Sequence, residues 1–205
     1  MLFARVVGSG SPTVVLLHGL GADEEDLLPL TEDLGPGTYH FLRAPLVNDF
    51  GGYSWYRIDF ETGVIRYSAE DALASRDAVI EYLEEVKGTV VLGGFSQGAI
   101  ISTGVALARP DLVSGLILWS GRLNHEFVPE ESAQVYTPVL QQHGTFDPVL
   151  PITMGRELAE FWSRTTSRHT YQEFPMAHQI SGVSLEQTRR WLGELVKGAD
   201  DLDHR

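Results

Sequence analysis

A chain of 205 residues with 43% hydrophobic and 21% charged side chains has the material for one domain with a substantial core, and its composition excludes wholesale disorder. Its 28 acidic against 15 basic residues leave a formal net charge of −13, which speaks against nucleic acid as a partner, since phosphate binding needs clustered Lys and Arg. No cysteine is present, so disulfides, thiolate catalysis and Cys-ligated zinc are excluded; no run approaches the roughly 20 apolar residues of a membrane-spanning helix. The N-terminal apolar run is too short for the core of a signal peptide, and a cytoplasmic location is expected.

Apolar runs alternate with helical patterns along the chain. Leu2–Val7 reads as a strand, GSGSP as a turn, and Thr13–His18 as a fully buried strand. Asp23–Leu34 has helical spacing, with the acids Asp23, Glu24, Glu25 and Asp26 in the first turn, where the helix dipole favours negative charge. Tyr39–Arg43 is a short strand, and residues 46–67 lack a clear period and read as a long loop of the kind that lines sites. Ser68 and Asp71 form a capping pair for a helix to about Val86. Strand Thr89–Gly93, helix Ala99–Ala108 and strand Val113–Ser120 follow, then a loop, Gly121–Thr137. Strand Val139–His143, a helix from Ile152 to Arg164, strand His169–Phe174 and a helix from Ser184 to Val196 complete a single domain over 1–205, with 198–205 expected to be a frayed acidic tail.

Strands separated by crossover helices imply an α/β fold: a mostly parallel sheet covered by helices on both faces. In such sheets ligands gather beyond the carboxyl ends of the strands, so functional residues should stand just after strands. Gly94-Phe95-Ser96-Gln97-Gly98 is a G-x-S-x-G motif between a strand and a helix, the setting of a nucleophile elbow. The bland alternative is a serine that caps the helix.

A serine nucleophile needs a base, and the base needs an orienting group, in the chain order Ser, acid, His. Of the seven histidines, only His178 follows the last strand at the correct edge. His18 and His40 precede the serine, His125 and His143 come before the acid, His169 opens a strand, and His204 is in the tail. Asp147 follows a strand between Ser96 and His178 and is the expected acid, with Glu126 as an alternative. The oxyanion hole needs the backbone N–H of Gln97 and a second one from the loop His18-Gly19-Leu20-Gly21, where Leu20 is placed to supply it.

With LHGLGADEEDLLPL, GFSQGA, HGTFDPVLP and AHQI in this order, the chain resembles the phospholipase/carboxylesterase family of α/β-hydrolases over about residues 13–195. The resemblance implies Ser96 as nucleophile, Asp147 as acid, His178 as base, and Leu20 and Gln97 as oxyanion donors. Acyl-protein thioesterases of the family carry Asp directly after HGLG; here Ala22 stands there, closer to the bacterial carboxylesterase branch. In GGYSWYRI, Trp55 and Tyr56 either wall the acyl pocket or pack beneath the loop, and Leu123, Phe127 and Met176 are apolar lining candidates.

The expected function is a serine carboxylesterase for short- to medium-chain acyl esters, with no cap domain, metal or cofactor called for. An acyl thioesterase or lysophospholipase with the same triad is the alternative, and a non-catalytic ligand-binding homologue the remote one. The expected partner is a small-molecule acyl ester. The edge near Gly121–Thr137 is either a homodimer surface or a substrate mouth.

Overall fold

The computed structural model describes residues 1–59, 66–88, 90–129 and 134–203, the side chains of 199–203 apart. Strands β1 (Ala4–Gly8) and β2 (Thr13–Leu17) lead through a 3-10 turn at Leu28–Leu30 and the one-turn helix α1 (Thr31–Leu34) into β3 (Thr38–Leu42). Two small antiparallel pairs follow: β4 (Leu46–Val47) with β5 (Tyr53–Ser54), and β6 (Ile58–Asp59) with β7 (Arg66–Tyr67). Next come α2 (Ala69–Glu85), β8 (Val90–Phe95), α3 (Gln97–Ala108) and β9 (Val113–Trp119). A 3-10 turn at His125–Phe127, β10 (Val139–Gly144), α4 (Ile152–Thr165), β11 (His169–Phe174) and α5 (Gly182–Asp203) complete the chain.

Seven strands join one sheet in the order β1-β3-β2-β8-β9-β10-β11. Only β1 runs antiparallel to its neighbour; the other pairs are parallel. The period of two along a strand divides each apolar run between two cores. Val15, Leu17, Leu92, Leu116 and Leu118 pack with Val79 and Leu83 of α2, Ile101 and Val105 of α3, and Leu158 and Trp162 of α4. Val14, Leu16, Val91, Ile117 and Trp119 pack on the other face with Leu27, Leu34, Leu185 and Leu192. Burial on both faces is why these strands are continuously apolar rather than alternating. Helix α2 begins as its sequence dictates, with the Ser68 hydroxyl accepting from the Asp71 N–H.

Three elements depart from the sequence expectation. Within Asp23–Leu34 only Thr31–Leu34 is α-helical, after the 3-10 turn that holds Pro29. Glu24 turns inward to form an ion pair with Arg43 beyond the end of β3, so the acidic cluster forms turns rather than the first turn of a helix. Its burial beside the guanidinium outweighs what a helix dipole offers an exposed acid. Residues 46–59 and 66–67 are not structureless, because β4–β5 and β6–β7 tie them together; 60–65 and Glu130 to Ala133 lie outside the described residues. Helix α5 continues through Asp203, past Gly198, where the expected frayed tail begins; His204 and Arg205 lie outside the described residues. Among the described residues no helix is long and apolar enough to cross a membrane.

Candidate active site

Parallel strands with crossover helices bring the carboxyl ends of β2, β8, β9, β10 and β11 to one edge of the sheet. Ser96 lies there between the last residue of β8 and the first of α3, with φ 54° and ψ −115°. A non-glycine residue in such a conformation costs roughly 1–3 kcal/mol and persists only where its surroundings enforce it. They do so through two glycines. A Cβ on Gly94 would collide with the backbone of Gly98, and one on Gly98 with the carbonyl oxygen of Leu17. Ser96 caps no helix N–H; its Oγ instead lies 2.9 Å from His178 Nε2. The cap alternative is thereby set aside.

His178 stands in the turn between β11 and α5. Its Nδ1 is 2.7 Å from Asp147 Oδ2, and its ring packs against Phe95 at 4.8 Å between centroids. Asp147 follows β10, and its other oxygen, Oδ1, accepts from the N–H groups of Val149 and Leu150 at 2.9 and 2.8 Å. With the carboxylate held on both sides, Nδ1–H donates to Oδ2 and leaves Nε2 free to accept the seryl proton. Gly144 lets the two loops meet, because a Cβ there would collide with the carbonyl oxygens of Met176 and Ala177. Ser96, Asp147 and His178 are thus brought together across 31 and 82 positions of sequence. Glu126 is exposed, in a 3-10 turn whose backbone is bonded to Asn124.

The loop after β2 passes directly over the serine: a Cβ on Gly19 would lie 3.6 Å from Ser96 Cβ. Among the described residues, neither the Leu20 N–H nor the Gln97 N–H is bonded to a backbone acceptor. Both are open donors at this edge, the second at the N-terminus of α3. Sequence reasoning did not find what holds this loop. Gly21 N donates to Tyr53 O and Tyr53 N to Ala22 O, both at 2.8 Å. The Gln97 side chain then takes the backbone of the same segment, accepting from Trp55 N and donating to Tyr56 O, both at 3.0 Å. Trp55 Nε1–H donates to His18 O at 2.9 Å.

His18 braces the loop from within. Its Nε2 accepts from the Ala44 N–H, so the proton is on Nδ1, which donates to Gly19 O at 2.7 Å. Burial lowers its pKa and keeps the ring neutral, in keeping with that tautomer. His143, fully buried, donates from Nε2 to Leu150 O at 2.8 Å and lies 3.6 Å from Asp147 Oδ2, so it supports the acid loop.

The apolar candidates are all less than a tenth exposed. Trp55 (0%) and Tyr56 (2%) belong to the core, Leu123 and Met176 are nearly buried, and Phe127 packs on Gly104 of α3. Among the large apolar side chains exposed in the edge loops are Leu20 (40%) and Phe146 (71%), which the sequence did not single out as lining. Among the described residues no group of three or more His, Asp or Glu side chains is placed to hold a metal ion.

The profile of the phospholipase/carboxylesterase family matches residues 7–195. An acyl-protein thioesterase 1 of Kluyveromyces lactis is 27% identical over 221 aligned positions, covering 94% of this chain and 97% of that protein. The crystal structure of the Bacillus cereus carboxylesterase superposes with a TM-score of 0.82 at 20% identity, covering 95% of each chain. That of Zea mays acyl-protein thioesterase 2 gives a TM-score of 0.75 at 21% identity, covering 94% of this chain and 98% of that one. Both likenesses mark the α/β-hydrolase fold, which the sheet order and the turn at Ser96 share. With the family profile spanning nearly the whole chain, the protein belongs to the phospholipase/carboxylesterase family and is a serine ester hydrolase.

Proposed function

We propose that the protein is a carboxylesterase acting on short- to medium-chain acyl esters through Ser96, His178 and Asp147. The observation that carries this reading is the unbroken relay from Ser96 Oγ to His178 Nε2 (2.9 Å) and from His178 Nδ1 to Asp147 Oδ2 (2.7 Å), anchored on a left-handed serine. Oγ attacks the acyl carbonyl as its proton passes to Nε2. Asp147 fixes the tautomer and stabilises the imidazolium that forms. The oxyanion is received by the N–H groups of Leu20 and Gln97, each contributing roughly 3–4 kcal/mol to transition-state stabilisation. His178 then protonates the leaving alcohol, and water repeats the cycle to release the acid.

Leu123 and Met176 form the floor of the acyl site in this reading, with Leu20 and Phe146 at its rim. Trp55 and Tyr56 act from behind, holding the oxyanion loop through their backbone. Thioester hydrolysis by the same groups is the second reading, favoured by the similarity to the Kluyveromyces lactis thioesterase. A fluorophosphonate probe tests the triad: the wild type is expected to be labelled and Ser96→Ala not. Equal labelling of both would overturn the assignment, and a panel of matched oxygen esters and thioesters separates the two readings.

A further inference from the structure

Beyond Trp119, the last residue of β9, the chain passes along the catalytic edge on the strand beside the one that ends at Ser96. Trp119 O accepts from the Ser96 N–H, and Ser120 itself has φ 49°. Gly121 packs on Ala99 in the first turn of α3. Arg122 follows, and its guanidinium lies 4.8 Å over the Tyr67 ring while Nη1 donates to Leu123 O at 2.9 Å. The Tyr67 ring meets that of Tyr56 edge-on at 5.8 Å, and the Tyr56 carbonyl is the one bound by Gln97, next to the nucleophile. Arg122 also acts on the Tyr56 phenol, opposing the burial that pushes its pKa up to about 12.

Charge pairing sets this arginine apart. Among the described residues four arginines are half-buried: Arg43, Arg76, Arg109 and Arg122. The first three are paired with Glu24, with Asp77, and with Glu84 and Asp111. Arg122 pairs with no carboxylate among the described residues. A partly desolvated guanidinium is costly to hold without an anion, and its planar fork suits a carboxylate or a phosphate. A second side chain in the segment has an open donor. Asn124 is fully buried, its Oδ1 accepts from the Tyr67 hydroxyl and the Glu126 N–H, and its Nδ2 has no partner among the described residues. With a net charge of −13 the whole molecule repels anions, so recognition of one requires a local cation of this kind.

We propose that Arg122 recognises an anionic group on the substrate, so that the preferred esters carry a carboxylate or a phosphate within reach of its guanidinium. This rests on the ester-hydrolase reading and narrows its substrate class. The test compares kcat/KM of the full chain on two matched pairs. One is the para-nitrophenyl monoester of glutaric acid against its neutral methyl-ester counterpart, which places the anion on the acyl side. The other is the butyryl ester of a glycerol phosphate against that of glycerol, which places it on the alcohol side.

The wild type is expected to favour the charged member of one pair by about tenfold or more, as a charge-assisted hydrogen bond to a substrate implies. Arg122→Gln should bring that ratio to one or below, and Arg122→Lys should keep part of it; circular dichroism reports whether each variant is folded. Wild-type ratios at or below one in both pairs would overturn the proposal. So would an equal loss on charged and neutral esters in the variants, which would mark Arg122 as a packing residue. If the wild type hydrolyses none of the four esters and no fluorophosphonate labels Ser96, the ester-hydrolase reading falls and this inference with it; labelling with ratios of one removes this inference alone.

Discussion

Glycine and serine at the elbow are linked by sterics before they are linked by chemistry. A side chain on Gly98 would enter the Leu17 carbonyl, part of the strand that leads to the loop over Ser96. Gly98→Ala is therefore expected to cost about 1–3 kcal/mol, measured by denaturant midpoint, and to lower kcat by displacing the turn. Ser96 has the opposite signature, because its φ of 54° is strained for any residue with a Cβ. Ser96→Gly should abolish hydrolysis while raising stability by about 1 kcal/mol, whereas Ser96→Ala should abolish hydrolysis without that gain. A Ser96→Gly protein less stable than Ser96→Ala would contradict the strain argument. These residues were legible because a nucleophile elbow is a local motif. His18 was not: its neutral tautomer follows from the Ala44 N–H, 26 positions away.

The segment from Tyr53 to Tyr56 illustrates the same limit for whole elements. It lacks a period of its own, and its conformation is imposed by partners: Gly21 and Ala22 on one side and the Gln97 amide on the other. Gln97→Ala keeps the backbone N–H proposed for the oxyanion but leaves Trp55 N and Tyr56 O without their buried partners. It should destabilise the fold by about 1–3 kcal/mol and lower kcat, because the loop proposed to receive the oxyanion loses its support. A variant with wild-type Tm and kcat would show that the clamp does not position the loop. Helix α2 lies at the other extreme, with its cap, its acidic first turn and its apolar stripe all in the local sequence. Between Asp23 and Leu34 apolar spacing alone misleads, since Pro29 and the ion pair of Glu24 with Arg43 divide the segment into turns.

Across the whole molecule, three histidines tie stability to pH. His18, His40 and His169 all have pKa values lowered from 6.5, in each case first of all by burial. Their unfolded forms bind protons more readily, so stability is full above about pH 6.5 and is lost as pH falls through the window below it. Tm is expected to be nearly flat between about pH 8 and pH 7 and to decline toward pH 5; a rise over that lower range would contradict the assignment. The other molecular property is reach. The described elements inserted after β3 and β9 are the small pairs β4–β5 and β6–β7 and the 3-10 turn at His125–Phe127, and the proposed function takes the site they border as an open groove. Among para-nitrophenyl esters, butyrate to octanoate should turn over best, and an optimum at palmitate would refute the open groove.

A single chain was enough to place Ser96, Asp147 and His178 in order at one edge. Each follows a strand of the sheet, and because those strands run parallel all their carboxyl ends lie on the same side. Strands β2 and β8 were the most readable, because burial on both faces keeps residues 14–17 and 90–95 free of charged and polar side chains. Tertiary structure alone decided that Trp55 and Tyr56 face the core, that Gln97 holds their backbone, and that Arg122 has no carboxylate partner among the described residues. Those outcomes depend on contacts between residues some 40 positions apart, as with Gln97 and Trp55, whose meeting no local pattern of hydrophobicity or charge encodes.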